Sequence, residues 1–309
     1  MAILALTSPL PAEPYLQALR RAAPDIRVWG EADAHDPAQV EAILAWRMPD
    51  GVLPRYPSLR VLASIGAGVD KLLAAADLPA NVMVTRVVDP GQGVEIAQYT
   101  VAVTLGFTRG LGVYAAQQAA RVWRRHPVRA AAQCRVGVLG MGEVGRAIAS
   151  AFAPLGYPVA GWSRRPREVM GVDSFAGADA LQAFLARSNV LVCALPLTAE
   201  TRGLLNRATL TQLPRGAFVV NIGRGENVAE ADLRALLDEG HLGGAALDVF
   251  EREPIPADNW VWRHPRVVAT PHIAAQASFD TVAAQCIDAL RRARDGRAQL
   301  FGVDRYAGY

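Results

Sequence analysis

Lysine is almost absent from this chain of 309 residues: Lys71 is the single lysine among 32 basic residues, and all the others are arginine. Because arginine is so common here, one arginine by itself is weak evidence for a binding site. The formal net charge is only +3, and no block of like charges marks an interaction tail. These features argue against a nucleic-acid-binding protein.

Cysteine and long apolar runs are also scarce. Cys134, Cys193 and Cys286 are far apart and follow no zinc or redox spacing, so we expect reduced residues in a cytoplasmic protein. No apolar stretch approaches the length that crosses a bilayer, and we expect no membrane partner. The H-E-x-x-H, G-x-S-x-G and Walker patterns are missing as well, so the sequence predicts neither a metal site nor a serine nucleophile.

Short apolar runs that alternate with helical segments fill the chain in two series. Such alternation predicts an α/β fold with two doubly wound parallel sheets, Rossmann-like or flavodoxin-like. We expect one domain from residues 1–98 plus 276–309 and a second from 99–275. The predicted strands span 2–6, 25–29, 42–46, 60–65 and 82–86, and then 134–140, 158–163, 189–195, 217–223, 243–250 and 266–271. The predicted helices include 94–120, which bridges the domains, 229–239, and 276–294.

A glycine-rich turn opens the second series. In "VGVLGMGEVG", Gly140, Gly142 and Gly145 form a G-x-G-x-x-G pattern between an apolar strand and a helix. The first glycine permits a tight turn, the second lets a pyrophosphate approach the backbone, and the third lets helix and strand pack closely. With a second strand following, this context predicts a dinucleotide-binding loop.

The segment "WSRRP" stands where an acidic residue usually holds the ribose hydroxyls of NAD. Ser163 takes that position, and Arg164 and Arg165 follow it. A hydroxyl and two guanidinium groups suit the extra phosphate of NADP, which an acidic residue would repel. We therefore expect NADP(H) to be preferred, with NAD(H) still possible.

Three polar residues follow strands of the second series, where ligands gather in open α/β folds. Arg224, between two glycines, is suited to a carboxylate, which its guanidinium can bind through two parallel hydrogen bonds. Glu253 and His272 follow later strands. A carboxylate beside a histidine stabilises the imidazolium, which is a common acid–base device. The three residues are our candidate catalytic set.

In this order, the motifs resemble those of the D-2-hydroxyacid dehydrogenase family. The matching segments are "GAGVDKL" (66–72), "VGVLGMGEVG" (136–145), "LPLTAETRGLL" (195–205), "VVNIGRGENV" (219–228), "ALDVFEREP" (246–254) and "TPHIAA" (270–275). The segments "VWRHPRV" (261–267) and "VDRYAGY" (303–309) resemble the branch that reduces glyoxylate and hydroxypyruvate.

The resemblance implies two domains that flank a cleft, and NADPH-dependent reduction of small 2-oxo acids such as glyoxylate and hydroxypyruvate. Arg224 would bind the substrate carboxylate and carbonyl, His272 would donate the proton, and Glu253 would hold His272. Family members are typically dimers, and the arm from about 112 to 130 would supply that contact. The residues expected to bind substrate beside Arg224 are Trp46, Ala67 and Gly68. Further residues expected to bind the cofactor are Met141, Glu143, Val144, Leu195, Pro196, Thr201, Ile222, Gly223 and Asp248.

Two other interpretations remain open from the sequence. One is an NAD-dependent D-2-hydroxyacid dehydrogenase of the lactate or phosphoglycerate type, which would favour an acidic residue at position 163. The other is a dinucleotide-sensing binding protein with the same fold. Such a sensor needs no complete set of arginine, glutamate and histidine, so the presence of all three favours an enzyme.

Overall fold

A computed structural model describes residues 1–305 of the chain. It divides into two compact units, the first from Met1–Pro90 together with the segment from Gln276 onward, and the second from Gly91–Ala275. Within the described residues, no helix is both long enough and apolar enough to cross a membrane.

The first unit contains a parallel sheet of five strands in the order β2-β1-β3-β4-β5. The inner strand β1 is buried along its whole length, as expected for a parallel sheet covered on both faces. The strands are β1 (Ala2–Leu6), β2 (Arg27–Gly30), β3 (Val40–Ala45), β4 (Val61–Ser64) and β5 (Met83–Thr85). The helices are α1 (Glu13–Ala22), α2 (Asp70–Leu73) and, from the end of the chain, α9 (Phe279–Arg294).

The second unit contains a parallel sheet of seven strands in the order β12-β11-β10-β9-β6-β7-β8. The strand order reverses between β6 and β9, which is the switch point where ligands bind in such sheets. Its strands are β6 (Val136–Leu139), β7 (Val159–Ser163), β8 (Val172–Ala176), β9 (Val190–Cys193), β10 (Ala217–Asn221), β11 (Leu242–Leu247) and β12 (Val267–Ala269). Its helices are α3 (Pro90–Thr108), α4 (Leu111–Ala119), α5 (Glu143–Phe152), α6 (Leu181–Arg187), α7 (Arg207–Leu210) and α8 (Glu230–Asp238).

The predicted fold class is confirmed, because both sheets are parallel and doubly wound. Each of the eleven predicted strands overlaps a strand of the structure. The sequence interpretation missed β8, an edge strand that pairs with β7 and leaves polar side chains exposed. Such a strand lacks the continuous apolar run by which the others were found.

The predicted helix over 94–120 is wrong in its extent, since it is two helices. The chain leaves α3 after Thr108 and begins α4 at Leu111. Between them Gly110 has a φ of 67°, in the left-handed region that glycine adopts at low cost. This glycine therefore turns the chain, and α4 follows as a separate helix.

Candidate active site

The glycine loop lies between β6 and α5, and its three glycines meet different surroundings. A Cβ atom on Gly140, whose φ is 103°, would lie 2.8 Å from the carbonyl oxygen of Ala194, and one on Gly145 would overlap the carbonyl oxygen of Gly140. A Cβ on Gly142 would meet no atom within 4 Å. The first and third glycines thus allow close packing, while the second borders open space at the start of α5. A pyrophosphate group fits this arrangement, because the free N–H groups of a helix N-terminus attract anions.

Most of the other residues predicted to bind the cofactor begin α5 or follow β9 and β10. Glu143 and Val144 form the first turn of α5, and Ile222 and Gly223 follow β10. After β9, the Thr201 hydroxyl donates a 2.6 Å hydrogen bond to the carbonyl of Pro196, which closes the turn that begins at Leu195. Met141 differs, because its side chain is buried in the core against Gly161 of β7. Only the backbone of Met141 is suited to a ligand.

Ser163 is the last residue of β7, as the sequence placed it. Its hydroxyl donates a 2.7 Å hydrogen bond to the carbonyl of Arg165, which folds the following turn. Arg164 and Arg165 are exposed. The Arg164 guanidinium forms an ion pair with Glu200 at 3.0 Å, and both side chains are largely in solvent. Two cationic side chains therefore follow β7 directly, at the end of the strand next to the one that leads into the glycine loop.

Arg224 follows β10 in a loop that two buried asparagines hold. Asn221 donates through its side-chain amide to the carbonyl of Arg224 at 2.8 Å, and Asn227 accepts from the N–H of Arg224 at 2.8 Å. The next residue, Gly225, packs so closely against the backbone of Phe250 that a Cβ atom would overlap it. The Arg224 loop is thus packed directly against the loop that begins at Phe250. Sequence reasoning missed both asparagines, although a polar residue at the end of the apolar run "FVVN" was a usable signal.

Glu253 and His272 are in direct contact. The Nδ1 atom of His272 lies 3.1 Å and 3.0 Å from the two carboxylate oxygens of Glu253, and the N–H of Phe250 donates to the same carboxylate at 3.1 Å. An ionised carboxylate only accepts hydrogen bonds, so Nδ1 carries the hydrogen and donates it. Nε2 is the second ring nitrogen, and it is the one suited to exchange a proton with a ligand.

His272 is also held in an uncommon backbone conformation, with a φ of 56°. A non-glycine residue in this region costs on the order of 1 kcal/mol, and such residues cluster at functional sites. The neighbouring carboxylate of Asp248 is 2% exposed and accepts hydrogen bonds from the N–H groups of Ile273 at 2.9 Å and Ala274 at 2.8 Å. Although we predicted Asp248 as a cofactor residue, its protein contacts anchor the segment that carries His272.

The substrate residues predicted in the first unit lie around the end of β4. The buried hydroxyl of Ser64 accepts from the N–H of Gly66 at 3.1 Å and donates to the carbonyl of Gly68 at 2.9 Å. A Cβ atom on Gly66 would lie 3.1 Å from the Trp46 ring, and the ammonium of Lys71 lies 4.9 Å from the centre of that ring. The loop that includes Ala67 is thus shaped by Ser64 and packs beside Trp46. The only lysine of the chain supplies a cation there.

The glycine loop, Arg224, Glu253 and His272 all follow carboxyl ends of strands in one parallel sheet, so they share one edge of the second unit. Residues 101–274 match the family model described as "D-isomer specific 2-hydroxyacid dehydrogenase, NAD binding domain". The chain is 38% identical to a glyoxylate/hydroxypyruvate reductase A of Salmonella paratyphi B, over 96% of each chain.

Two solved structures are similar over the full length. A D-isomer specific 2-hydroxyacid dehydrogenase from Xanthobacter autotrophicus, in complex with NADPH and MES, is 40% identical with a TM-score of 0.92, covering 100% of this chain and 99% of that one. An NADPH-dependent glyoxylate/hydroxypyruvate reductase from Sinorhizobium meliloti, in complex with NADP and sulfate, is 34% identical with a TM-score of 0.93 over the same shares. The resemblance predicted from the motifs is confirmed: the chain belongs to the D-isomer specific 2-hydroxyacid dehydrogenases, a family of NAD(P)-dependent oxidoreductases.

Proposed function

We propose that this protein reduces small 2-oxo acids to 2-hydroxy acids with NADPH, and that glyoxylate and hydroxypyruvate are its substrates. The observation that carries the proposal is the pairing of His272 with Glu253 at the sheet edge that also holds Arg224 and the glycine loop. The relatives from Salmonella and Sinorhizobium, which are named glyoxylate/hydroxypyruvate reductases, support the same reaction.

In the proposed mechanism, the bound nicotinamide supplies a hydride to the carbonyl carbon of the substrate. Arg224 binds the carboxylate and carbonyl oxygens of the 2-oxo acid, since a guanidinium forms two parallel bonds to such a group. His272 donates the proton on Nε2 to the carbonyl oxygen, which becomes the hydroxyl of the product. Glu253 accepts from Nδ1 throughout and stabilises the imidazolium before the transfer.

We also propose substrate-binding roles for residues of the first unit. Ala67 and Gly68 offer backbone N–H groups to the carboxylate, in the loop that Ser64 holds. Trp46 provides an apolar wall beside them. Residues 1–98 with 276–309 are accordingly proposed as the substrate-binding domain, and 99–275 as the dinucleotide-binding domain.

A panel of substrates tests the proposal. We expect NADPH oxidation with glyoxylate and hydroxypyruvate to exceed that with pyruvate and phosphohydroxypyruvate, and NADH to be a poorer donor. The methyl ester of glyoxylate should be reduced far more slowly than glyoxylate, because it lacks the carboxylate that Arg224 binds. Faster turnover with NADH would instead support an NAD-dependent dehydrogenase, and no turnover with any 2-oxo acid would support a dinucleotide sensor.

We also propose that two copies of the chain form a homodimer through the arm at 112–130. Helix α4 buries none of its residues, and Trp123, just after it, is fully exposed. Leu111, Val113 and Val122 are about half exposed beside it in the sequence. An apolar surface of this kind is typical of a contact between proteins, and a second copy is the occupant expected from the family.

Changing Trp123→Asp should dissociate that dimer. The wild type should show twice the chain mass of 33.0 kDa by light scattering, and the variant should show the mass of one chain, because a carboxylate would be buried unpaired in the contact. Met170→Asp is a suitable control, since Met170 is a 97% exposed apolar residue of the same unit outside the arm. A monomeric wild type, or a dimeric Trp123→Asp variant, would contradict the assignment of the arm.

The state of the cysteines supports a cytoplasmic location, which we propose as well. All three are buried free thiols, and burial raises the pKa of both Cys193 and Cys286 to about 12. Their thiols therefore stay protonated at neutral pH and are poor nucleophiles. Unpaired cysteines are common in a reducing compartment.

A further inference from the structure

A chain of hydroxyl groups leads from helix α3 to the segment that carries His272. The Tyr99 hydroxyl lies 2.8 Å from Oγ1 of Thr270, and the Thr270 hydroxyl donates to the carboxylate of Asp248 at 2.6 Å. A threonine hydroxyl has a single hydrogen, and here it is used by Asp248. Tyr99 must therefore be the donor to Thr270, which fixes the direction of the whole chain.

Asp248 connects this chain to the backbone of three consecutive residues. Its carboxylate accepts from the N–H groups of Ile273 and Ala274, and its carbonyl accepts from the N–H of His272 at 2.9 Å. These bonds surround the residue whose φ is 56°. A backbone conformation of this kind persists only where its surroundings hold it.

Tyr99 is a permanent donor in this arrangement. Burial raises the pKa of Tyr99 to about 12, and the negative charge of Asp248 acts in the same direction. The hydroxyl thus keeps its hydrogen over the whole pH range in which dehydrogenases are assayed. Loss of that hydrogen bond would leave Thr270 free to rotate away from Asp248.

We propose that Tyr99 is a positioning residue for the reaction: through Thr270 and Asp248 it fixes the backbone of 272–274, and so the placement of the His272 imidazole. The inference rests on the proposed role of His272 as proton donor. A proton donor has to lie within hydrogen-bond reach of the atom that it protonates, and small displacements of such a group lower the rate strongly. The expected effect of the network is therefore on the chemical step, while substrate and cofactor affinity stay nearly constant.

Four variants test the network through the single-turnover rate of NADPH oxidation with hydroxypyruvate. Tyr99→Phe keeps the ring and removes the donor, and we expect the rate to fall roughly three- to tenfold, as for the loss of one hydrogen bond. Thr270→Val should lower it at least as much, while Thr270→Ser, which keeps the hydroxyl, should restore most of it. Because Tyr99 acts through Thr270, the double variant Tyr99→Phe with Thr270→Val should be no slower than Thr270→Val alone. The KM for hydroxypyruvate and the Kd for NADPH should stay within about twofold of the wild-type values.

The chain offers a matched control in the same unit. Tyr157 also has its hydroxyl near a threonine, 3.2 Å from Oγ1 of Thr108, but that threonine donates to the carbonyl of Thr104 within α3 and not to Asp248. Tyr157→Phe should therefore leave the rate unchanged. The urea midpoints of unfolding of both phenylalanine variants should be compared, since they report the stability of the fold. Equal rates for Tyr99→Phe and Tyr157→Phe, additive losses in the double variant, or a change in NADPH Kd in place of the rate would each overturn the positioning role. His272→Asn in the same series distinguishes a failure of the proposed mechanism from a failure of the network. A His272→Asn enzyme that stays fast would refute the proposed mechanism. A slow His272→Asn enzyme beside a Tyr99→Phe enzyme of unchanged rate would refute only the network.

Discussion

His272→Asn should lower the single-turnover rate with glyoxylate or hydroxypyruvate by on the order of a thousandfold, within the range that general acid catalysis contributes. NADPH should bind with a Kd close to that of the wild type, because the glycine loop and Arg164 are untouched. The measurement is stopped-flow oxidation of NADPH at saturating substrate, with the Kd taken from a separate fluorescence titration. A large loss of rate at constant affinity is the mark of a group that acts in the transition state.

Asparagine is chosen because of the backbone at position 272. The φ of 56° is strained for alanine, whereas asparagine adopts the left-handed region more readily than most residues. The variant therefore removes the proposed proton donor while its segment keeps the hydrogen bonds to Asp248. Alanine would combine the loss of the acid with a disturbance of the loop.

His264→Asn provides the matched control for this experiment. His264 also lies beside a carboxylate, with Nε2 3.3 Å from Asp238, and its Nδ1 accepts from the N–H of Arg266 at 3.2 Å. It belongs to the second unit but follows no strand end of the site. If His264→Asn lost as much rate as His272→Asn, or if His272→Asn kept more than a tenth of the wild-type rate, His272 would not be the proton donor.

The strand pattern and the strand-end residues could be predicted from the sequence because both depend on local order along the chain. A run such as "AFVVN" is apolar throughout, since β10 is buried on both faces, and the residue that follows it must lie at the sheet edge. This is why Arg224, Glu253 and His272 could be placed at one edge without coordinates. Strand β8 was missed because its sequence, "VDSFA", includes exposed polar residues and no continuous apolar run.

The contacts that hold the site were not predictable in the same way. Tyr99 and Thr270 are 171 positions apart, and nothing in the local sequence of either one indicates the other. Asp248 matched a family motif as a cofactor residue, yet the three consecutive amides that it binds belong to another strand end. Pairings of this kind depend on the strand order β10-β11-β12, which the sequence pattern leaves undetermined.

The double variant Arg164→Ala with Arg165→Ala should lower the preference for NADPH over NADH by roughly tenfold to a hundredfold. A hydrogen bond to a charged group contributes about 1.5–3 kcal/mol, and solvent screening of exposed side chains places the effect toward the lower end. The loss should appear as a higher KM for NADPH, while the KM for NADH changes little, because NADH lacks the phosphate. Steady-state kinetics with both cofactors at one ionic strength measures it.

The ion pair between Arg164 and Glu200 adds a second expectation to this experiment. If Arg164 binds the ribose phosphate as proposed, Glu200 would compete for the same guanidinium, which is 57% exposed, so Glu200→Gln should lower the KM for NADPH. Arg207→Ala is the control, since Arg207 is 51% exposed and pairs with Glu239 in the same way, but it lies on α7. The ribose phosphate of NADPH has more charge than the Glu200 carboxylate and should displace it from Arg164. Raised ionic strength should therefore weaken NADPH binding more than NADH binding. Equal changes for both cofactors in the double variant would refute the assignment of these arginines to the phosphate.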